Sequence, residues 1–319
     1  MPSTTRRAFL KTASALAAAG LVPGRLDLFA RSPAERKFKL CLNPGAIGVA
    51  ANQQTLLSMA AQHGFEAIVS MPDQLLSFSD ADRASLLEAM HDRGISWGST
   101  NLTVEFRRDE GTFREGLAAL PRYAGVLEAV GATRMNTWII PAHRELTYTA
   151  NFQQHAERLR ACAEVLADHG IRLGLEYVGP KTSLVRGRYP FLRTMAETRE
   201  LIAEIGLPNV GLVLDSFHWY CAEDTAADIL ALTNGDIITC DLNDARSDLS
   251  RDEQIDGTRE LPGATGAIDL QSFLAALVQL GYDGPVRAEP FNKVLQDMDD
   301  QEALKATYEA MTEAFALVG

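Results

Sequence analysis

Short apolar runs rich in β-branched residues alternate with longer amphipathic runs from Lys37 onward, and the alternation repeats about eight times. Short runs of this kind predict strands, and the longer runs, with apolar positions three and four apart, predict helices. The predicted strands are FKLCLN (38–43), FEAIVSM (65–71), ISWGSTNL (95–102), RMNTWII (134–140), RLGLEYV (172–178), VGLVLDSF (210–217), DIITCDLN (236–243) and PVRAEPF (285–291).

Helices are predicted between these strands, for example NQQTLLSMAAQH, FREGLAALPRYAGVLEAV and LQSFLAALVQL. Glycines that suit helix C-terminal caps stand before the next strand, at Gly64, Gly94, Gly131, Gly170, Gly206 and Gly281. Eight strand–helix units predict a (β/α)8 TIM barrel over residues 37–319. A doubly wound sheet fits less well, since no glycine-rich phosphate loop follows any predicted strand.

Composition narrows the range of partners. The chain has 319 residues, is 46% hydrophobic and carries a formal net charge of −12, which disfavours nucleic acid and favours a small neutral substrate. The four cysteines, Cys41, Cys162, Cys221 and Cys240, show no metal-binding spacing and are predicted to be free buried thiols.

Residues 1–30 have the layout of a twin-arginine signal peptide. Arg6 and Arg7 precede FLK and a short alanine-rich apolar stretch, which is too short to span a bilayer. This predicts a periplasmic or exported protein that meets the twin-arginine export machinery, with no stable membrane insertion and with cleavage between Ala19 and Arg31. A basic N-terminal helix is the alternative.

Carboxylates stand at the ends of four consecutive predicted strands: Glu176, Asp215, Asp241 and Glu289. In a TIM barrel these ends converge at the mouth that carries the active site. Four anionic groups cannot share a small, partly desolvated volume without a cation, because each would force the others to protonate. Oxygen donors favour one divalent ion, Mn²⁺ or Mg²⁺ rather than Zn²⁺, with Co²⁺ also compatible.

The segments GLEYV, LVLDSFHW, CDLNDA and RELPGATGAIDL resemble the xylose isomerase-like barrel superfamily of sugar isomerases and epimerases. That resemblance implies that Glu176, Asp215, Asp241 and Glu289 bind the metal, and that Glu176 and Glu289 also act as acid and base. Asp241 stands where the common pattern has His. Three of the carboxylates also have structural interpretations: an ion pair with Arg172 or Arg287 for Glu176, a helix cap for Asp215, and a turn for Asp241 or Asp244.

Four further residues are predicted to bind substrate. The resemblance implies this role for His218, three residues after Asp215, and for Arg259 in the RELPG loop. Lys181 and His143 follow the fifth and fourth predicted strands, on loops that face the same mouth. Trp138, Trp219 and Phe217 form either an apolar wall against a sugar ring or part of the core.

The predicted function is therefore a metal-dependent sugar isomerase or epimerase that moves a proton next to a polarised carbonyl. The substrate is expected to be non-phosphorylated, because the loops show no evident Arg/Lys phosphate clamp. A lyase or hydratase acting on 3-keto-sugar (glycoside) derivatives is the first alternative, and a non-catalytic periplasmic sugar-binding protein is the second. An apurinic endonuclease would need a His-rich zinc site, and the chain has only six His. The sequence is also compatible with a homo-oligomer.

Overall fold

The computed structural model describes residues 35–319, so the predicted signal peptide lies outside the described residues. The strands are β1 (Lys39–Leu42), β2 (Ala67–Ile68), β3 (Ser96–Trp97), β4 (Thr100–Asn101), β5 (Arg134–Ile139), β6 (Ala142–His143), β7 (Arg172–Tyr177), β8 (Tyr189–Pro190), β9 (Val210–Asp215), β10 (Ile237–Leu242) and β11 (Pro285–Ala288). The α-helices are α1 (Gln53–His63), α2 (Pro72–Ser77), α3 (Asp80–Asp92), α4 (Glu110–Ala129), α5 (Tyr148–Asp168), α6 (Met195–Ile205), α7 (Ser216–Ala222), α8 (Ala226–Leu230), α9 (Leu270–Leu280), α10 (Lys293–Gln296) and α11 (Asp300–Phe315).

Nine strands form one parallel sheet in the order β3-β2-β1-β11-β10-β9-β7-β5-β4. The two strands at the ends of this order, β3 and β4, are halves of the single predicted strand 95–102. Only Gly98 and Ser99 separate them, so the sheet curls around to meet itself. The predicted TIM barrel is confirmed.

All eight predicted strands are present, but several are shorter than predicted. The run 210–217 ends as a strand at Asp215, because its carboxylate accepts hydrogen bonds from the backbone N of Phe217 and of His218 and begins α7. The run 285–291 ends at Ala288, which leaves Glu289 just beyond β11. Asp215 is thus the last residue of β9 and Glu289 directly follows β11, so both carboxylates lie at the barrel mouth.

Helices surround the sheet, and the core fills the barrel and the layer between sheet and helices. The predicted capping glycine Gly64 has a φ of 89° and donates its backbone N–H to the carbonyl of Ala60. The four cysteines are free and buried, as predicted. Across residues 35–319, every helix is too short or too polar to traverse a lipid bilayer.

Candidate active site

The four predicted carboxylates converge at the C-terminal mouth of the barrel. One oxygen from each of Glu176, Asp215, Asp241 and Glu289 lies within 4.8 Å of the others. Asp215 and Asp241 stand directly opposite each other on the paired strands β9 and β10. The pleat therefore brings side chains that are far apart in the sequence onto one interior layer.

Glu176 pairs with no arginine of residues 35–319. Its Oε1 atom is buried and accepts no hydrogen bond from any described residue, and the nearest cationic candidate is His218 Nε2 at 3.7 Å. The interpretation of Glu176 as half of an ion pair with Arg172 or Arg287 is wrong, because Arg172 donates to the Gly235 carbonyl and Arg287 binds Asp241. A buried carboxylate oxygen without a donor is costly unless a ligand completes its bonding.

Asp241 is the most constrained of the four carboxylates. It lies opposite Arg287 in the β10–β11 register and accepts two hydrogen bonds from that guanidinium, at 2.5 Å from Nε and 3.0 Å from Nη2. Both side chains are almost fully buried, so the pair is a desolvated bidentate ion pair. Each oxygen keeps a second lone-pair direction, but Arg287 offsets the charge that Asp241 brings to the site.

Arg259 brings a second guanidinium into the cluster. Its Nη1 donates to Asp215 Oδ2 at 2.9 Å and lies 3.4 Å from Glu289 Oε2, and its Nη2 donates to Asp256 Oδ1 at 2.8 Å. The guanidinium carbon lies 5.0 Å from the ring centroids of both Phe217 and Phe291. Arg259 is therefore fixed in the site rather than solvated on its loop.

The crowding of carboxylates raises their pKa values. Burial, reinforced by the charges of Glu289, Asp241 and Asp215, raises the pKa of Glu176 well above its usual range. Burial followed by the charge of Asp241 raises the pKa of Glu289 to about 7. Burial also raises the pKa of Asp215 to about 6, against the opposing charge of Arg259. Without a further positive charge, part of this cluster holds protons at neutral pH.

His218 is buried beside Glu176. The backbone N of Gly179 donates to its Nδ1 at 3.2 Å, and Arg259 Nη2 lies 3.1 Å from its Nε2. The Nε2 atom also lies 3.7 Å from Glu176 Oε1 and 3.6 Å from Asp256 Oδ1. Burial, aided by Arg259, lowers the pKa of His218 to about 3. Gly179 allows this contact, because a Cβ there would collide with the His218 carbonyl oxygen.

A cavity of about 340 Å³, here called the central pocket, opens over the cluster. Glu176, Glu289, His218 and Arg259 line it, together with residues that sequence reasoning did not select: Asn43, Asn101, Asn136, Asp256 and Phe291. Asn43 ends the predicted strand 38–43 and Asn101 lies one residue before the end of 95–102, so the strand-end position that indicated the carboxylates applied to both. Asn136 is the third residue of the predicted strand 134–140 and had no such position. Asp256 and Phe291 lie on loops, which carry no comparable periodic pattern.

Two of the predicted substrate residues lie elsewhere. Lys181 forms ion pairs with Glu223 and Asp252 and does not line the central pocket. His143 accepts hydrogen bonds from the backbone N of Glu145 and of Leu146, and it lines a neighbouring cavity instead. The loops after the strands diverge, so position after a strand was not enough to place either side chain.

Only one of the three aromatic candidates is a pocket wall. Trp138 lines the central pocket and is 42% exposed. Trp219 packs edge-on against Phe273, and Phe217 is buried beneath Arg259. The apolar-wall interpretation therefore holds for Trp138 alone, and the core interpretation holds for the other two.

The donor set suits a divalent cation. It provides four converging carboxylates, one of which has an oxygen with no partner, and it is rich in oxygen as hard cations require. Glu176, Asp215 and His218 form an overlapping second group of potential ligands. The four carboxylates thus form a candidate metal-binding cluster, and the two guanidiniums offset part of its negative charge.

Comparison with known proteins identifies the family. Residues 57–314 match the sequence profile of the xylose isomerase-like TIM barrel. The chain belongs to this family. A solved member, a xylose isomerase domain protein from Alicyclobacillus acidocaldarius, superposes with a TM-score of 0.77 at 29% identity over 88% of this chain and 99% of that one. The IOLI protein, solved with a bound zinc atom, superposes with a TM-score of 0.73 at 21% identity over 88% and 99% of the two chains.

Related sequences include isomerases, epimerases and dehydratases. Inosose isomerase of Bacillus velezensis is 25% identical over 86% of this chain and 96% of the relative. D-psicose 3-epimerase of Agrobacterium fabrum is 23% identical over 74% and 78%. A 3-dehydroshikimate dehydratase of Pseudomonas aeruginosa is 33% identical over 43% of this chain and 20% of the relative. These relatives confirm the expectation of an enzyme in the isomerase class, with the lyases as runner-up.

Proposed function

We propose that this protein is a divalent-metal-dependent isomerase or epimerase of a non-phosphorylated sugar or keto-sugar, in which Glu176 and Glu289 transfer protons. The observation that carries the proposal is the convergence of four carboxylates, three buried and one partly buried, of which Glu176 and Glu289 line the central pocket. Glu176 Oε1 lacks a partner among the described residues. The relatives named as inosose isomerase and D-psicose 3-epimerase support this class of substrate.

Glu176, Asp215, Asp241 and Glu289 would hold the metal, with Mn²⁺ or Mg²⁺ as the proposed ion. A bound divalent cation supplies Lewis-acid polarisation, which acidifies a C–H next to a carbonyl. Asp215 is already oriented for this role by the N–H groups of α7 and by the side chain of Asn243, which donates to Oδ2 at 3.0 Å. Asn243 also accepts the backbone N–H of Glu289, and thus couples two of the ligands.

The acid–base work falls to the two glutamates, which come from the non-adjacent strands β7 and β11. A pKa raised to about 7 suits Glu289 to give or take a proton near neutrality. If one glutamate removes a proton and the other donates its own proton to the opposite face of the same carbon, the product is an epimer. If the proton returns to the neighbouring carbon, the product is an isomer.

The remaining groups of the central pocket would orient the substrate. Arg259, held between two phenyl rings, and His218 present a polar edge beside the glutamates. Asn136 and Asn101 are linked by a hydrogen bond of 3.1 Å and face the same space. Trp138 offers an exposed apolar face, as sugar rings require.

Elimination or hydration is the second candidate. Loss of a β-leaving group after the same proton abstraction gives a lyase, and the similarity to 3-dehydroshikimate dehydratases favours this route. We also propose export by the twin-arginine pathway, on the strength of Arg6, Arg7 and the following FLK.

Deuterium incorporation tests the shared step. The protein in D₂O with Mn²⁺ is incubated with candidate ketoses and inososes, and exchange is followed by NMR. We expect exchange at a carbon next to the carbonyl. Glu176→Gln and Glu289→Gln should each lower turnover by at least ~10²-fold, the usual contribution of a positioned acid or base. Glu115→Gln, on the exposed face of α4, is the matched control.

The outcome separates the candidates. Exchange without a leaving group supports the isomerase, and exchange with loss of water supports the lyase. Full turnover in both glutamine variants would exclude the two-glutamate mechanism. Sugar binding without any exchange would indicate the non-catalytic binding protein instead.

A further inference from the structure

A second cavity, here called the side cavity, lies beside the central pocket and has a volume of about 950 Å³. The segments that form it are the loop after β4, the segment around β6, the first turns of α5 and the end of the turn Lys181–Arg186. It is lined by Glu105, Arg107, Arg108, Asp109, Glu110, Ile140, Ala142, His143, Arg144, Glu145, Leu146, Asn151, Gln154, His155, Arg158 and Arg186. These segments lie far apart in the sequence.

The two cavities share a wall. The guanidinium carbon of Arg107 lies 4.2 Å from the ring centroid of Trp138, and its Nη1 donates to the Trp138 carbonyl at 2.8 Å. Trp138 lines the central pocket, whereas Arg107 lines the side cavity. A ligand in the side cavity would therefore lie across a stacked arginine and indole from the carboxylate cluster.

The arginines of the side cavity fall into two groups. Arg107 pairs with Glu105 at 2.8 Å, and Arg158 pairs with Glu110 at 2.9 Å. The exposed side chains of Arg108, Arg144 and Arg186 form no ion pair with any residue in 35–319. Three cations that come from three separate loops therefore surround the cavity without partners in this part of the chain.

The carboxylates of the cavity offset only part of the charge of these three arginines and form no ion pair with them. Asp109 is the N-cap of α4 and accepts hydrogen bonds from the backbone N and the hydroxyl of Thr112. With Glu105 and Glu110 paired, Glu145 is the one cavity-lining carboxylate in the described chain that has neither an ion pair nor a capping role. Five arginines and four carboxylates line the cavity, so its net charge is +1, and the three arginines without ion pairs remain available to a ligand.

The floor of the side cavity is buried and neutral. His155 Nδ1 donates to the Asn151 carbonyl at 2.9 Å, so its Nε2 is an acceptor. Burial lowers the pKa of His155 to about 4, which keeps the ring neutral. His155 Nε2 and Asn151 Oδ1 have no hydrogen-bond partner within the described residues, and the two side chains are only 3% and 2% exposed. Two unsatisfied acceptors call for donors such as hydroxyl groups.

We propose that the side cavity binds a small hydroxylated organic anion, a sugar carboxylate or a sugar phosphate. Arg108, Arg144 and Arg186 bind its anionic group, since guanidinium forks match the planar oxygens of carboxylate and phosphate. Its hydroxyls donate to Asn151 and His155. The sequence showed no such clamp because its arginines come from three different loops, and the proposal does not depend on the proposed catalytic function.

Four probes test the proposal by titration calorimetry and by tryptophan fluorescence, since Trp138 packs against the cavity wall. They are D-glucuronate, glucose 6-phosphate, inorganic phosphate and glucose. We expect at least one sugar anion to bind ~10-fold or more tightly than glucose, because charge-assisted hydrogen bonds are stronger than hydrogen bonds between neutral groups. Binding of glucuronate alone would assign a carboxylate ligand, and binding of glucose 6-phosphate alone would assign a phosphate ligand.

Variants locate the binding. The triple variant Arg108→Gln, Arg144→Gln, Arg186→Gln should bind the sugar anion at least ~10-fold more weakly, because it loses three exposed cations while the core is unchanged. Arg188→Gln is the matched control, since this exposed arginine lies just outside the cavity. Asn151→Leu should weaken the binding of sugar anions more than the binding of inorganic phosphate, because it removes an acceptor for the sugar hydroxyls.

Several results would overturn the proposal: no binding by any probe at millimolar concentration, equal affinity for glucose and its anions, or affinity unchanged in the triple variant. Inorganic phosphate binding as tightly as the sugar anions would overturn the assignment of hydroxyl donors. Loss of sugar-anion binding in Glu289→Gln would place the ligand in the central pocket and also overturn it.

Discussion

The central pocket and the side cavity use the same kinds of side chain in opposite ways. In the central pocket, carboxylates stand at strand ends, and two buried arginines, Arg259 and Arg287, serve as their partners. In the side cavity, exposed arginines stand on loops, and most carboxylates are committed to pairs or caps. Strand ends hold charged groups in fixed positions at a high desolvation cost, whereas loops present charged groups to an incoming ligand at little cost to stability.

Breaking the buried pair should have the largest effect. Arg287→Met leaves Asp241 buried without its bidentate partner, and we expect a loss of ~3–5 kcal/mol in the free energy of unfolding, measured by urea titration. Arg186→Met in the side cavity should change that free energy by less than ~0.5 kcal/mol.

The double variant Asp241→Leu, Arg287→Met provides the control, since removing both charges should recover most of the loss. A loss below ~1 kcal/mol in Arg287→Met would mean that other groups stabilise the charge of Asp241. The two regions would then differ less in their contribution to stability than the contacts indicate.

A divalent ion should stabilise the folded chain by binding at the central pocket, and the arginines of the side cavity should not affect this stabilisation. At 100 times its dissociation constant, a metal bound only by the folded state adds ~2.7 kcal/mol. We expect the melting temperature to rise with Mn²⁺, to fall with EDTA and to respond less in Glu176→Gln. The triple arginine variant of the side cavity should respond like the natural chain. A melting temperature indifferent to both additions would argue against the metal site.

Acid should destabilise the folded chain through His155, the buried histidine of the side cavity. His155 has a pKa lowered to about 4 in the folded chain, so the unfolded state binds more protons as pH falls from the usual value near 6.5. The contribution of the neutral ring to the free energy of unfolding is fully present above a pH of about 6.5. It is lost progressively on acidification, by ~2 kcal/mol at about pH 5. His155→Phe, beside Phe106 and Phe191, should remove this part of the pH dependence of urea unfolding.

The same experiment with His91→Phe serves as a control, because that histidine is exposed on α3. If the pH dependence of His155→Phe matched that of the natural chain, the neutral floor of the side cavity would not contribute to acid sensitivity.

The periodic pattern was sufficient for the barrel and for the carboxylates. Every predicted strand is present, because alternation of buried strands with amphipathic helices admits few architectures. Glu176, Asp215 and Asp241 could be placed at the mouth, because the C-terminal ends of all strands in a parallel barrel lie there. The predicted strand 210–217 was two residues too long, although the helix-cap interpretation of Asp215 is confirmed: its carboxylate accepts the backbone N–H of Phe217 and ends the strand.

Loop residues were harder to place. Lys181 and His143 follow strands, yet Lys181 pairs with Glu223 and Asp252 outside the central pocket, and His143 lines the side cavity. Asp256 reaches the central pocket from a loop that carries no periodic signal. The conformation of a loop depends on contacts with distant segments, and these contacts leave no mark in the local pattern.

By itself, the sequence determined the barrel, its glycine-capped helices and the set of strand-end carboxylates, because these follow from local periodicity and from the convergence of parallel strands. Tertiary structure alone decided the partners: that Arg287 binds Asp241 and not Glu176, that Arg259 lies among the carboxylates, and that arginines from three loops surround one cavity. The physical reason is that charge pairing depends on distance and desolvation in three dimensions, which residues far apart in the sequence acquire only when the chain folds.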